Sequence, residues 1–315
     1  MHRPLAVSSA FLGVLVLIAC QQTQAPERGQ SGEPAAVAPL DPRRVEEGAA
    51  TKATVAADGV VRIGWARADV AVKVDGMPLR PSAGLGSWAA FKATRHGAMV
   101  MGDTVVFEDE VDAAMDAAFA GGLEITALHN HFFFDEPKVY FMHLGGQGEP
   151  GQLAAAVKTV WDAIKKVRAD NPSPDGRFGG AIPRPGGLDR GPIERILGHE
   201  ATVRDGVVKV SIGRAGKMQG TTVGGSMGLG TWAAFSGSDG LAAVDGDVIM
   251  TANEVQPVLR ALRNAGIHVV ALHNHMIGGD PMFYFTHYWG TGPAAELAQA
   301  IRSVLDAQED AVRRE

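Results

Sequence analysis

Apolar residues recur along this chain at two periods, and the whole pattern occurs twice. Val111, Ala114, Met115 and Ala118 fall on one stripe of a helix, as do Val255, Val258, Leu259 and Leu262, so each set predicts a helix buried along one side. A second pair of stripes predicts a closing helix in each half: Leu153, Val157, Val160 and Trp161, then Leu297, Ile301, Val304 and Leu305. Short apolar blocks between them read as strands: 60–63 and 207–210, 84–91 and 228–235, 98–107 and 241–250, 123–128 and 267–272. Asp109 and Asn253 stand where a helix cap is wanted, with Gly121-Gly122 and Gly266 as stops. Asp41-Pro42 and Gly191-Pro192 start a short opening helix in each half.

The halves are copies. Gly84-Leu-Gly-Ser-Trp-Ala-Ala-Phe91 returns as Gly228-Leu-Gly-Thr-Trp-Ala-Ala-Phe235, and Ala127-Leu-His-Asn-His131 returns as Ala271-Leu-His-Asn-His275, both 144 positions on. Two separate blocks held at one offset mean duplication. The predicted fold class is α+β: two homologous β-β-α-β-β-α repeats, mainly antiparallel sheets with helices packed on one face. Repeat 1 spans 40–169, a Pro/Gly-rich linker 170–190, and repeat 2 191–310. At 315 residues the chain has room for two modest domains, each with its own core. Trp88 and Trp232 read as core, with a ligand-pocket wall as the alternative.

The chain before residue 40 changes character. Arg3 and the uncharged run 5–19 read as an export signal, too short for a convincing membrane span. It ends in Leu17-Ile-Ala-Cys20, which resembles the bacterial lipobox and implies cleavage before Cys20 and lipidation there. Residues 21–39 lack periodicity and large apolar groups until their end, and read as a flexible tether. Cys20 is the single cysteine, so neither an internal disulfide nor a thiolate site lies downstream. A net charge of −6 offers no basic footprint, so nucleic acid is not an expected partner.

The candidate chemistry is histidine. His129 and His131 are two apart at a strand end and leave one face, and His143 follows on the next strand; His273, His275 and His287 repeat the set. A hairpin centred on Pro137 would set His131 opposite His143. Three imidazoles suit a divalent ion (Zn, or Cu, Mn or Fe). Glu136 and Asp280 share a position and are the expected carboxylate ligands or proton acceptors, with an exposed turn role as the alternative. Between 127–146 and 271–290 ten of twenty residues are identical, the three histidines among them, so the triplet persisted while its neighbours changed. Glu110 and Glu254 also match, and a favourable charge at a helix start accounts for them. His96, His199 and His268 have no counterpart in the other half. The string His-x-His-x4-Glu is similar to the first cupin motif, but the helices exclude that fold, and His-Asn-His alone is no nuclease motif.

Taken together, the lipobox, the duplicated Gly-Leu-Gly-[Ser/Thr]-Trp-Ala-Ala-Phe, Glu-Val at a helix start, and Ala-Leu-His-Asn-His followed by Tyr-Phe-x-His resemble the LppY/LpqO family of bacterial lipoproteins. That resemblance covers about residues 40–308, implies a lipid-anchored envelope protein, and brings no activity or functional residues with it. The expected function is a divalent-metal-binding envelope protein. A metal-dependent enzyme is one form of it, in which the ion polarises a carbonyl or generates hydroxide. The alternative is a non-catalytic module for a small ligand or an envelope partner. The expected location is extracytoplasmic, on the membrane through the lipid. Nucleophile, phosphate-loop and dinucleotide motifs are not evident.

Overall fold

A computed structural model describes residues 37–314. The expected signal segment 1–20 with Cys20, and the tether as far as residue 36, lie outside the described residues. The first half runs α1 (Pro42–Ala49), β1 (Thr54–Val55), β2 (Val61–Ala66), β3 (Val72–Val74), β4 (Met77–Leu79), β5 (Gly86–Thr94), β6 (Gly97–Phe107), α2 (Val111–Ala120), β7 (Glu124–His129), β8 (Asp135–Glu136), β9 (Val139–Gly148) and α3 (Pro150–Asp170). The second runs α4 (Arg190–Leu197), β10 (Ala201–Arg204), β11 (Val207–Gly213), β12 (Gly216–Met218), β13 (Thr221–Val223), β14 (Gly230–Ser238), β15 (Leu241–Met250), α5 (Ala252–Asn264), β16 (His268–His273), β17 (Gly279–Asp280), β18 (Tyr284–Gly292) and α6 (Ala294–Arg313). Residues 171–189 carry neither helix nor strand.

The architecture is α+β with antiparallel sheets. Each half gives six strands to one twelve-stranded sheet, ordered β1-β2-β5-β6-β9-β7-β16-β18-β15-β14-β11-β10. The halves join where Leu128 on β7 pairs with Leu272 on β16. Each half also folds a three-stranded side sheet, β4-β3-β8 and β13-β12-β17. These side sheets, with α1, β1 and β2 or their counterparts, make the observed repeat longer than the six elements read from the periodicity.

Burial along β6 explains the layering. From Ala98 to Met101 it alternates, as a half-covered strand does, and from Gly102 to Phe107 every residue is buried. The helices cover one face, and the side sheet covers the other face at this end. Leu128, Met142, Phe91 and Val100 join α1, α2 and α3 in a main core that continues through Leu272, Phe235 and Val244 to α4, α5 and α6. The expectation of two domains with separate main cores is therefore corrected: one sheet carries one main core. A small second core lies under each side sheet, with Val105, Phe107 and Phe141 in one and Ile249, Phe283 and Phe285 in the other.

The caps of the middle helices also differ from expectation. Glu110 is the N-cap of α2 and Thr251 that of α5, rather than Asp109 and Asn253. The carboxylates of Glu110 and Glu254 reach back to accept the N–H of Phe107 and Thr251, each at 2.9 Å. Each glutamate is also buried in an ion pair. Arg67 donates from Nη1 and Nη2 to Glu110 at 2.8 and 2.9 Å, and Arg214 forks onto Glu254 at 2.5 and 2.8 Å. Buried pairing, more than the helix dipole, accounts for the matched glutamates.

Candidate metal centre

The six histidines lie on the face of the sheet opposite the helices. Leu128 and Leu272 point into the main core, so strand alternation sends His129 and His273 to the other face. In the first half the His129 ring stacks 5.1 Å from both His131 and His143. In the second the His273 ring stacks 5.1 Å from both His275 and His287. His131 and His275 lie flat on Phe141 and Phe285 at 3.3 and 3.4 Å. In the second half the nitrogens of the three rings fall within 4.8 Å of one another.

The register that brings them together is not a hairpin centred on Pro137. His143 pairs with Ala127, and His129 with Phe141, with a bulge between Ile125 and Ala127. His131 lies beyond the end of β7. The connection diverts into β8, which pairs with β3, and this side excursion moves the centre of symmetry. The asparagine between the histidines shapes the exit. Asn130 Nδ2 donates to the Phe132 carbonyl at 2.8 Å, and Asn274 Nδ2 to that of Met276 at 2.9 Å.

Backbone carbonyls fix the tautomer of three of the rings, those of His129, His273 and His287. Nδ1 of His287 lies 3.0 Å from the Gly246 carbonyl. Nδ1 of His129 and of His273 lie 3.3 and 3.4 Å from the Asn130 and Asn274 carbonyls. A carbonyl only accepts, so Nδ1 carries the proton and Nε2 keeps its lone pair. Burial, and then the neighbouring His129, hold the His131 ring below the ordinary histidine range; burial, His273 and His287 do the same to His275. Both are kept in the neutral form that binds metals.

The carboxylate at these rings is one the motif reading missed. Asp103 and Asp247 sit on β6 and β15 directly across from His143 and His287. Asp103 Oδ1 is 3.9 Å from His143 Nε2, and Asp247 Oδ2 is 3.3 Å from His275 Nε2. In each aspartate Oδ1 is buried without a hydrogen-bond partner. Burial pushes both carboxyls above the usual range, against the pull of the histidines. A signal was present: Gly102-Asp103 and Gly246-Asp247 recur at the same 144 offset, each a charge inside an apolar strand. The structure places Glu136 and Asp280 elsewhere. They are exposed on the side sheets, opposite Lys73 and Lys217.

Trp88 and Trp232 are not core. They are half-buried on the histidine face, paired across the strands with Asp103 and Asp247, and each carries a cation over its ring: Arg62 at 4.3 Å and Lys209 at 4.0 Å. Ser87, Ala89 and Phe91 take the buried positions of β5. Beside the first cluster opens a groove of about 730 Å³ in which Trp88, Asp103, His131 and Arg80 meet over a floor of Ala66 and Gly86. His268, unmatched in the first half, has a local role: Nδ1 lies 2.5 Å from Asp112, and the ring stacks on Phe178 of the linker at 3.6 Å.

The chain belongs to the family described as Domain of Unknown Function (DUF1259), whose model matches residues 44–163 and again 191–307. No curated protein matches it. Among solved structures it is similar to a trimeric bacterial microcompartment shell protein, PduB, at 10% identity and TM-score 0.21, covering 83% of this chain and 92% of that one. It is similar also to EtuB from Clostridium kluyveri, at 11% identity and TM-score 0.20, covering 83% and 91%.

Proposed function

We propose that the protein binds one divalent transition-metal ion, zinc first, in each half, through His129, His131, His143 and Asp103 and through His273, His275, His287 and Asp247. One observation carries the reading: the same three imidazoles and the same buried aspartate meet in both halves while the loops around them have diverged. Chemistry supports it, because Nδ1 of His129, His273 and His287 faces a backbone carbonyl, which leaves Nε2 free to accept a cation, and a buried aspartate with an unpaired oxygen stands beside each triad. Tetrahedral coordination with Zn–N near 2.0–2.1 Å needs donor atoms roughly 3.3 Å apart, so the ring nitrogens of the second half, within 4.8 Å of one another, would draw in around the ion. A bound ion with a free coordination position supplies Lewis acidity or a metal-bound water. The neighbouring groove, with Arg80 and Trp88, would orient a small ligand.

Elemental analysis of tag-free protein, expressed with metals available and never exposed to chelator, tests this. Two equivalents per chain are expected, and His131→Ala or His275→Ala should each lower that to one. Absence of stoichiometric metal in the wild type, or two equivalents retained in either variant, overturns the proposal.

We also propose, from the lipobox and the LppY/LpqO resemblance, that the protein works outside the cytoplasm, tethered to the bacterial envelope by lipid on Cys20. Among the described residues no helix is long and apolar enough to cross a membrane. Cys20→Ser should move the protein from the membrane to the soluble fraction. Normal maturation and retention of that variant through a high-salt wash would refute the anchor.

A further inference from the structure

The two halves differ sharply above their buried ion pairs. In the first, the pair is sealed. Trp65 and Trp161 lean together with centroids 6.0 Å apart, Trp65 lies 5.0 Å from the Arg67 guanidinium, and Trp161 Nε1 donates to Thr104 Oγ1 at 3.3 Å. Asp69 takes the remaining edge of Arg67, accepting from Nε at 2.9 Å and Nη2 at 3.0 Å. Arg168 adds a second guanidinium 2.7 Å from Glu110. The Arg67 side chain is 1% exposed.

Every one of those seals is missing from the second half. Trp65 pairs with Ser87, and the residue paired with the equivalent Thr231 is Ile212. At the 144 offset, Leu305 stands for Trp161 and Val312 for Arg168. The path from Arg214 to β12 is three residues shorter than that from Arg67 to β3 (214 to 216 against 67 to 72), so Asp69 has no counterpart. What remains is a cleft of about 460 Å³ where Arg214, Gln308, Thr231 and His199 meet an apolar wall of Ile212 and Leu305. Arg214 is 28% exposed, and among the described residues its hydrogen bonds run to Glu254 alone, from Nη1 and Nη2.

We infer that this cleft binds a small aliphatic monocarboxylate. Its carboxylate would sit on the Nε edge of Arg214, as Asp69 sits on Arg67, with the aliphatic tail where the tryptophans stand in the first half. The first half supplies the template, since the same guanidinium already holds one glutamate and one further carboxylate in a fork. Charge selects a monoanion: a dianion would face Glu254 and Glu309, and Arg313, the other cation lining the cleft, is already paired with Glu309 and Asp310. Ile212 and Leu305 select an apolar tail. The cleft lies on the helix side, away from the two histidine clusters, so this inference stands or falls independently of the metal.

Titration of the full chain with hexanoate, using hexan-1-ol as the uncharged match, tests it by calorimetry or chemical-shift mapping. Saturable binding of one hexanoate per chain is expected, with hexan-1-ol weaker by at least about tenfold. Leu305→Trp imports the plug of the first half, and should weaken hexanoate by at least about tenfold while leaving the circular dichroism spectrum unchanged. Ile212→Trp closes the cleft from the strand side and serves should the first variant misfold. Lack of saturable binding, equal binding of hexan-1-ol, or full binding by a folded plugged variant each overturns the inference.

Discussion

Asp103 and Asp247 are poor choices for stability, which makes them informative at the scale of single residues. An aspartate pushed up by burial opposes folding wherever it is ionised, because its charge is better solvated in the unfolded chain. Sign and consequence are opposite for a structural carboxylate, whose depressed pKa adds stability above the ordinary range. Asp247→Asn keeps the shape and removes the charge. The metal-free variant should therefore melt no lower than wild type at pH 7, while metal affinity in the second half falls by at least about 10- to 100-fold, the usual loss for an outer-shell partner and a floor for a direct ligand. Calorimetry with a zinc titration reads both. A lower melting temperature with unchanged zinc affinity would assign the aspartate to the fold. Residue-scale reading of the sequence found the histidines because their spacing is local. It missed Asp103 because the pairing with His143 spans two strands, and it misplaced Trp88 because alternation alone does not say which face is covered.

Among the elements, the middle helices start on their ion pairs. Burial pushes the Glu254 carboxyl up, but hydrogen bonds from Arg214, Gln308 and the Thr251 backbone outweigh it and hold the group below the usual range. Its contribution is thus fully present above the ordinary glutamate range and lost as pH falls through the lowered value. Glu254→Gln should cost about 3 kcal/mol near neutrality, the low end for breaking a buried pair, because Arg214 keeps some access to water. Denaturant melts across pH should show that gap closing only in acid, and a gap independent of pH would refute the account. The helices and long strands were legible because a full periodic stripe specifies each of them. β8 and β17 were not, since two residues carry no period. These two short strands divert the chain after His131 and His275, and so the register of the histidine connection was lost with them.

For the whole molecule, duplication was plain in the sequence, and the single sheet was not. Nothing in a strand of six residues such as β7 tells whether its free side meets solvent or another strand. The seam is thin in backbone pairing and is reinforced by side chains. Gln256 of α5 accepts from Ile125 N at 3.1 Å and donates to Ile125 O at 2.8 Å, as a neighbouring strand would. Arg260 donates to the carbonyls of Phe119 and Leu123 at 3.1 and 3.2 Å, and Arg263 pairs with Asp112 and Asp116 at 2.8 and 2.9 Å. Gln256 and Arg260 stand at the positions of Asp112 and Asp116, 144 residues on, so identical halves could not have supplied both sides of these contacts.

The junction of β7 with β16 has a further meaning. Either repeat alone would offer an unpaired strand edge, open to any extended peptide that could align with it. Each copy instead closes the other's edge, as the partners of a two-fold symmetric dimer do. Because both copies lie on one chain, joined by residues 171–189, the partner's local concentration is set by the linker and not by how much protein the cell makes. The pairing therefore survives dilution, as separate subunits at low abundance would not, and each chain always carries both histidine clusters.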